Sequence, residues 1–327
     1  MKVSEQTLRQ MYREMLRARR VDERAWALHR QGKIAFHISG MGHEATHIGA
    51  ANAIRVGHDY VVPYYRDLGL MLCMGLTMEE FMLGLYGKRG EPSSGARQMP
   101  SHWGLKRANV VNTSSPVATQ IPHAAGIAFG IKYRGTDQVV LTCIGEGSTS
   151  QGEWYEGMNW AAVHQLPFIC LVQNNLYAIS VPQEKQMAVQ DVADRAAAFG
   201  MPGVAVDGND VLAVAEAMQT AVARAREGGG PTLIEAKTYR PVPHSSDDDD
   251  RSYRDRAEVE AWKQRDPIVL FRQRLQAEGV LSAADEEQLE ADIRAEVDAA
   301  QQAAEAADYP DASIATHPVY VEEVQHA

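Results

Sequence analysis

IGEGSTSQGEW, residues 144–154, continues the apolar run VVLTCI at 139–144. The run has the length and β-branched content of a buried strand, and QGEWYEGMNWAAVHQ (151–165) then takes a helical pattern. Glycine at a strand tip lets the backbone approach a ligand closely. Helix N-termini favour anions, and doubly wound folds bind ligands at the carboxyl ends of their strands. Gly145, Glu146, Gly147 and Ser148 therefore read as a phosphate-type site. No Lys follows the last glycine, which excludes a P-loop. A dinucleotide fingerprint fits poorly: Ser150 stands at its third small position, and Gln165, Leu166 and Pro167 stand where an acid is needed.

Glu146 narrows the choice. A carboxylate repels a diphosphate unless a cation lies between them. Magnesium suits that place, since it takes octahedral oxygen donors from a carboxylate, neutral oxygens and phosphates. The next apolar run, PFICLVQ (167–173), ends in Asn174 and Asn175. If the two strands are neighbours, Glu146 and Asn175 can offer a carboxylate and an amide oxygen to one Mg2+. A backbone carbonyl near Tyr177 would be the third donor.

Outward from this centre the pattern alternates. ATQIPHAAGIAFGIKYR (118–134) reads as a helix before the first strand, and a helix around 190–199 follows the second. GVAVDG (203–208) is a strand, VLAVAEAMQTAVARARE (211–227) a helix and PTLIEAKTY (231–239) a strand. Strands apolar on both faces and alternating with helices predict an α/β fold, a parallel sheet flanked by helices on both sides. Upstream, Ser4 caps a predicted helix to about Gln31 with Leu8, Met11, Tyr12, Met15 and Leu16 on one face. A second helical stretch follows Met41, DYVVPYYR (59–66) is a strand running into a loop, and 77–87 is helical. Residues 89–115 are Gly-, Pro- and Ser-rich without a period, and irregular segments of that length are usually functional or disordered. Downstream lie a polar loop at 241–254, two predicted helices at about 256–277 and 282–307, and a tail extended from Tyr309. Residues 1–255 are expected to form the α/β domain with its N-terminal helices, and 256–327 a C-terminal helical extension and tail.

The chain has 327 residues, 45% hydrophobic and 23% charged, with a net charge of −11. That balance gives no basic footprint for nucleic acid or an anionic membrane. No apolar run reaches the ~18 residues of a membrane helix. Cys73, Cys143 and Cys170 are widely spaced and read as reduced, buried thiols. The N-terminal stretch carries Glu5 and Glu14, unlike an acid-poor transit peptide, so a cytoplasmic location is expected.

Gly145-Glu146-Gly147 followed by Asn174-Asn175 resembles the thiamine-diphosphate motif, with Glu where Asp is usual. The resemblance extends over nearly the whole chain and points to the α subunits of 2-oxo acid dehydrogenases, above all the branched-chain type. NNLYAIS (174–180) carries it, with Leu176 where Gly is common, as do SSPVATQIP (114–122), RQMPSH (97–102), PYYRD (63–67) and PHSSDDDDRSYR (243–254). It implies the diphosphate half of the thiamine-diphosphate-binding fold, with thiamine diphosphate and Mg2+ as cofactors. Tyr64, Tyr65 and Arg66 would contact the diphosphate, and Ser115 and the backbone near Val117 would approach the thiazolium. His244 would reach both the diphosphate and the reacting end. His102 and Phe36 would stand near the substrate. The loop at Ser114, Pro116, Thr119 and Gln120 binds K+ in some members. Ser245 matches a serine phosphorylated in mitochondrial relatives.

Two of these residues also have a reading without the resemblance. Arg66 after a strand suits bidentate contact with phosphate oxygens. His244, in a loop of acids and serines, suits proton donation beside a carbanion. The half that activates the aminopyrimidine is missing, so the resemblance implies a separate β subunit in an α2β2 heterotetramer. The implied reaction is oxidative decarboxylation of a 2-oxo acid, with acyl transfer to a lipoyl-bearing acyltransferase. PYYRD and RQMPSH favour the branched-chain type over pyruvate and acetoin dehydrogenase α subunits, and Trp103 can narrow the substrate pocket. From a different class, the alternative is a non-catalytic phosphate- or nucleotide-binding module.

Overall fold

A computed structural model describes residues 3–113 and 115–316, so Ser114 and the tail beyond 316 lie outside the described residues. The elements in chain order begin with α1 (Glu5–Arg30), α2 (Glu44–Ala51), β1 (Tyr60–Val62), α3 (Leu68–Cys73) and α4 (Met78–Tyr86). After an irregular stretch come α5 (Gln120–Arg134), β2 (Val140–Gly145), α6 (Gly152–Val163) and β3 (Phe168–Asn174). A small hairpin, β4 (Tyr177–Ala178) and β5 (Val181–Pro182), leads into the single turn α7 (Gln183–Gln186). Then follow β6 (Gly203–Asp207), α8 (Val211–Arg226), β7 (Thr232–Lys237), α9 (Arg256–Lys263), α10 (Pro267–Ala277) and α11 (Ala283–Ala306).

The five-stranded sheet has the order β1-β2-β3-β7-β6, and every neighbouring pair is parallel. Side chains alternate across such a sheet. Leu141, Cys143, Ile169 and Leu171 face a core shared with α1–α4, α8, α10 and α11. Val140, Ile144, Phe168, Cys170 and Val172 face a second core under α5 and α6. Burial on both faces explains why these strands read as unbroken apolar runs.

The expected α/β architecture is observed, with local corrections. The helix expected at 256–277 is two helices. Pro267 has no N–H and starts α10, while the Asp266 side chain caps it by accepting from Ile268 and Val269 N–H. Residues 192–199 form a 3-10 turn rather than an α-helix. The tail carries a 3-10 turn at Ala312–Ala315. The last long helix, α11, is a packing helix: Ile293, Val297, Ala300 and Ala304 are buried in the N-terminal core. Arg17, Arg20 and Arg24 of α1 reach Glu296, Glu290 and Asp298 of α11. Among the described residues no helix is long and apolar enough to cross a membrane.

Candidate functional site

β2 and β3 are paired side by side, with Gly145 opposite Gln173, so Glu146 and Asn175 emerge together from adjacent strand ends. The backbone N–H of Asn175 donates to Glu146 Oε2 at 3.2 Å. Glu146 is 1% exposed, and its Oε1 has no hydrogen-bond partner. Burial raises the Glu146 carboxyl above its ordinary range, against the pull of Arg240 and Arg66. An ionised oxygen left bare inside a protein is costly unless a cation meets it. The Asn175 amide oxygen accepts only a long bond from Tyr177 N–H at 3.3 Å. A carboxylate oxygen and an amide oxygen with free lone pairs, on neighbouring strands, fit a hard divalent cation. No cluster of three His, Cys, Asp or Glu side chains suited to a metal occurs among the described residues.

The two glycines of the turn differ. A Cβ on Gly147 would lie 2.7 Å from Ala178 Cβ, whereas one on Gly145 would meet only a Tyr64 ring carbon at 4.0 Å. Gly147 is thus needed for the β4–β5 hairpin to close over the turn, and Gly145 borders open space.

Two buried guanidiniums, Arg66 and Arg240, act electrostatically on the carboxylate. Arg66 donates to the Ser39 carbonyl and, at 3.3 Å, to His244 Nδ1, and its buried Nε has no partner. Arg240 donates to His244 Nδ1 at 3.2 Å, to the Val242 and Ile179 carbonyls and to Tyr253 Oη. Every hydrogen-bond partner of these two cations among the described residues is neutral, which suits a dianionic guest. Burial, then Arg66, lowers the Arg240 pKa to about 10. His244 is pushed down to about 3 by burial and then by Arg66 and Arg240. Its Nδ1 accepts from both guanidiniums, so the neutral ring carries its proton on Nε2.

The scaffold fixes these groups from below. Asp22 of α1 accepts from Gly40 N–H at 2.7 Å and pairs with His37 Nε2 at 2.8 Å. This holds the 37–40 segment whose Ser39 carbonyl binds Arg66. His37 and Ser246 exchange two hydrogen bonds, and Asp248 accepts from His244 N–H at 2.8 Å. In the run Asp247–Asp250, Asp247 pairs with His29, Asp248 with Tyr253, Asp249 with Arg251 and Asp250 with Arg254. The acids thus shape the loop rather than merely solvate it.

Tyr65 packs edge-on against His244, with ring centroids 5.9 Å apart, and its carbonyl accepts from Trp103 Nε1 at 3.2 Å. Tyr64 Oη donates to Gln173 Oε1 at 3.2 Å and so sits under the site. His102 donates from Nδ1 to the Met99 carbonyl at 3.0 Å, and its Nε2 accepts from Ser115 Oγ, joining two residues expected to serve different parts of the ligand. Phe36 is half-buried beside His37, and Val117 is 36% exposed. Tyr177 turns its hydroxyl to Glu258 at 2.8 Å. Of the loop expected to hold K+, Ser114 lies outside the described residues. Thr119 Oγ1 donates to the Pro116 carbonyl at 3.1 Å, and Gln120 Nε2 to the Cys143 carbonyl at 3.0 Å.

Sequence reasoning passed over Arg240, although an Arg directly after a strand tip gave the same signal as Arg66. It also passed over His43 and His47, four residues apart at the start of α2 and stacked with centroids 5.9 Å apart. Burial keeps both neutral: His47 falls to about 4 and His43 well below its ordinary value. Asp67, also unforeseen, accepts from Tyr64 N–H and Gln173 Nε2, and burial raises it to about 7.

The model of the family described as "Dehydrogenase E1 component" matches residues 12–313. A 2-oxoisovalerate dehydrogenase subunit alpha of Bacillus subtilis is 50% identical over 299 residues, covering 91% of each chain. A 3-methyl-2-oxobutanoate dehydrogenase subunit alpha of Mycobacterium tuberculosis is 40% identical over 88% of this chain and 75% of its own. A pyruvate dehydrogenase E1 component subunit alpha of Staphylococcus aureus is 37% identical over 90% of this chain and 78% of its own. With the bare carboxylate, the amide oxygen and the paired arginines at adjoining strand ends, these matches place the chain in the dehydrogenase E1 component family.

Proposed function

We propose that this chain is the α subunit of a thiamine-diphosphate- and Mg2+-dependent 2-oxo acid dehydrogenase of the branched-chain type. The observation that carries the proposal is the buried, unpartnered Glu146 Oε1 beside Asn175, in the field of two arginines with only neutral partners. Glu146, the Asn175 amide oxygen and the Tyr177 carbonyl would hold the cation. Arg66, Arg240, Tyr64 and Tyr65 would hold the diphosphate. Once bound, thiamine diphosphate supplies the electron sink that 2-oxo acid decarboxylation needs.

The residues of the chain bind, orient and move protons. With Nδ1 tied to two guanidiniums, His244 presents Nε2–H as a donor toward the reacting end. His102, held by the Met99 carbonyl and Ser115, borders the substrate side, with Phe36 and Trp103 shaping its apolar wall. The loop at Ser114, Pro116, Thr119 and Gln120 belongs to the proposal as a K+ site that would brace Ser115 and Val117. The helices from 256 onward form its C-terminal extension.

The aminopyrimidine half would come from a separate β subunit in an α2β2 assembly, and the acyl group would pass to a lipoyl arm of a partner acyltransferase. The names of the B. subtilis and M. tuberculosis relatives favour 2-oxoisovalerate as substrate over pyruvate. The test is decarboxylation of 2-oxoisovalerate and pyruvate by the purified chain, with and without its β partner. Turnover that needs the partner and prefers 2-oxoisovalerate supports the proposal. Full turnover by the chain alone rejects the two-chain site, and a preference for pyruvate rejects the branched-chain assignment.

A further inference from the structure

We infer that His43 is a positioning residue that sets which end of the Asn175 amide faces the cation. The inference rests on the proposed reading of Glu146 and Asn175 as cation ligands. His43 is fully buried, and its Nδ1 lies 3.2 Å from the Met41 carbonyl. A carbonyl only accepts, so Nδ1 carries the hydrogen and Nε2 keeps a lone pair. The atom 3.3 Å from that Nε2 is the amide nitrogen of Asn175, the only end of the amide that can donate to it. The amide oxygen is thereby turned away from His43, toward the Tyr177 N–H.

The orientation matters because an amide NH2 has no lone pair for a metal, and a half-turn of the amide would replace a ligand with a repulsive group. The His43 ring is itself held in place. It stacks on His47 at an interplanar angle of 19°, and His47 Nε2 bonds to Gln173 Oε1 at 3.0 Å. Groups behind a ligand orient it in this way at many metal sites, and their loss weakens metal affinity about 10–100-fold.

The experiment uses the chain assembled with its β partner. Mg2+ is titrated at fixed thiamine diphosphate, and cofactor binding is read by calorimetry rather than by turnover. His43→Phe keeps a ring but has no acceptor, and it is expected to raise the half-saturating Mg2+ concentration about tenfold or more. His43→Gln restores an acceptor near the Nε2 position and should return the value to within about threefold. Asn175→Asp makes the two side-chain oxygens equivalent, so His43→Phe in that background should change the midpoint by less than about twofold. This cycle separates positioning from a general loss of folding, which would act in both backgrounds and lower the unfolding temperature of the cofactor-free complex. A wild-type midpoint in His43→Phe, with Mg2+ still required, overturns the inference alone, as does an equal shift in both backgrounds. Wild-type cofactor binding that ignores Mg2+ removes the cation reading and the inference with it.

Discussion

Ser246 and His37 are joined by two hydrogen bonds: Ser246 N–H donates to the His37 carbonyl at 2.9 Å, and His37 N–H to Ser246 Oγ at 3.0 Å. This pair ties the loop carrying His244 to the segment that positions Arg66. Ser246→Ala removes the side-chain half of the clasp, worth about 1 kcal/mol. Proteolysis within 241–254 should become several-fold faster while the melting temperature of the sheet shifts by less than about 4 °C. Unchanged cleavage would mean that the loop is held elsewhere.

His244 should set part of the acid limb of stability. Its folded pKa, about 3, lies below the ordinary 6.5, so its contribution is full above pH 6.5 and is lost as pH falls toward 3. Between pH 7 and pH 5 this amounts to about 2 kcal/mol. Urea midpoints of wild type and His244→Gln at the two pH values check it. The variant should lose less stability on acidification, and parallel losses would contradict the expected charge state of the ring.

Asp67 acts with the opposite sign. Its folded pKa, about 7, lies above the ordinary 3.8, so its contribution is full below pH 3.8 and is lost as pH rises through 7. From pH 5 to pH 7 the loss is about 2 kcal/mol and nearly offsets the gain from His244. The same urea series on Asp67→Asn should therefore show stability rising with pH more steeply than in wild type. An unaltered slope would mean that Asp67 is ionised in the folded chain.

Gly145 and Gly147 should separate ligand space from folding space. Gly147→Ala drives a methyl group against Ala178 and should cost about 1–3 kcal/mol. Gly145→Ala meets only a ring carbon at 4.0 Å and should leave the melting temperature nearly unchanged while weakening cofactor binding. Thermal melts and calorimetry decide it, and equal destabilisation by both would show that the turn has no open side.

The sheet and the meeting of Glu146 with Asn175 were legible because each rests on local pattern. Two apolar runs ended in Gly-Glu-Gly and Asn-Asn, and parallel pairing of neighbours brought the tips together. Asp266-Pro267 held the signal that splits the helix at 256–277, but the apolar spacing on either side concealed it. His43 and Asp67 act through contacts with residues distant in sequence, which no periodicity encodes, whereas Arg240 carried the same strand-end signal as Arg66. The hairpin after Asn175 was illegible for another reason. Leu176 and Ile179 take positive φ of 71° and 55°, a conformation that favours glycine, so their residue types argued against a tight turn. Tertiary contacts hold them there, among them the Arg240 guanidinium on the Ile179 carbonyl.

Calorimetric binding of thiamine diphosphate to the chain assembled with its β partner, with and without Mg2+, decides whether Glu146 and Asn175 share a cation that carries the diphosphate. Wild type should bind only when Mg2+ is present, and Glu146→Ala and Asn175→Ala should each weaken binding at least ~100-fold, about 2.7 kcal/mol. Wild-type affinity in both variants would mean that neither side chain holds the cation.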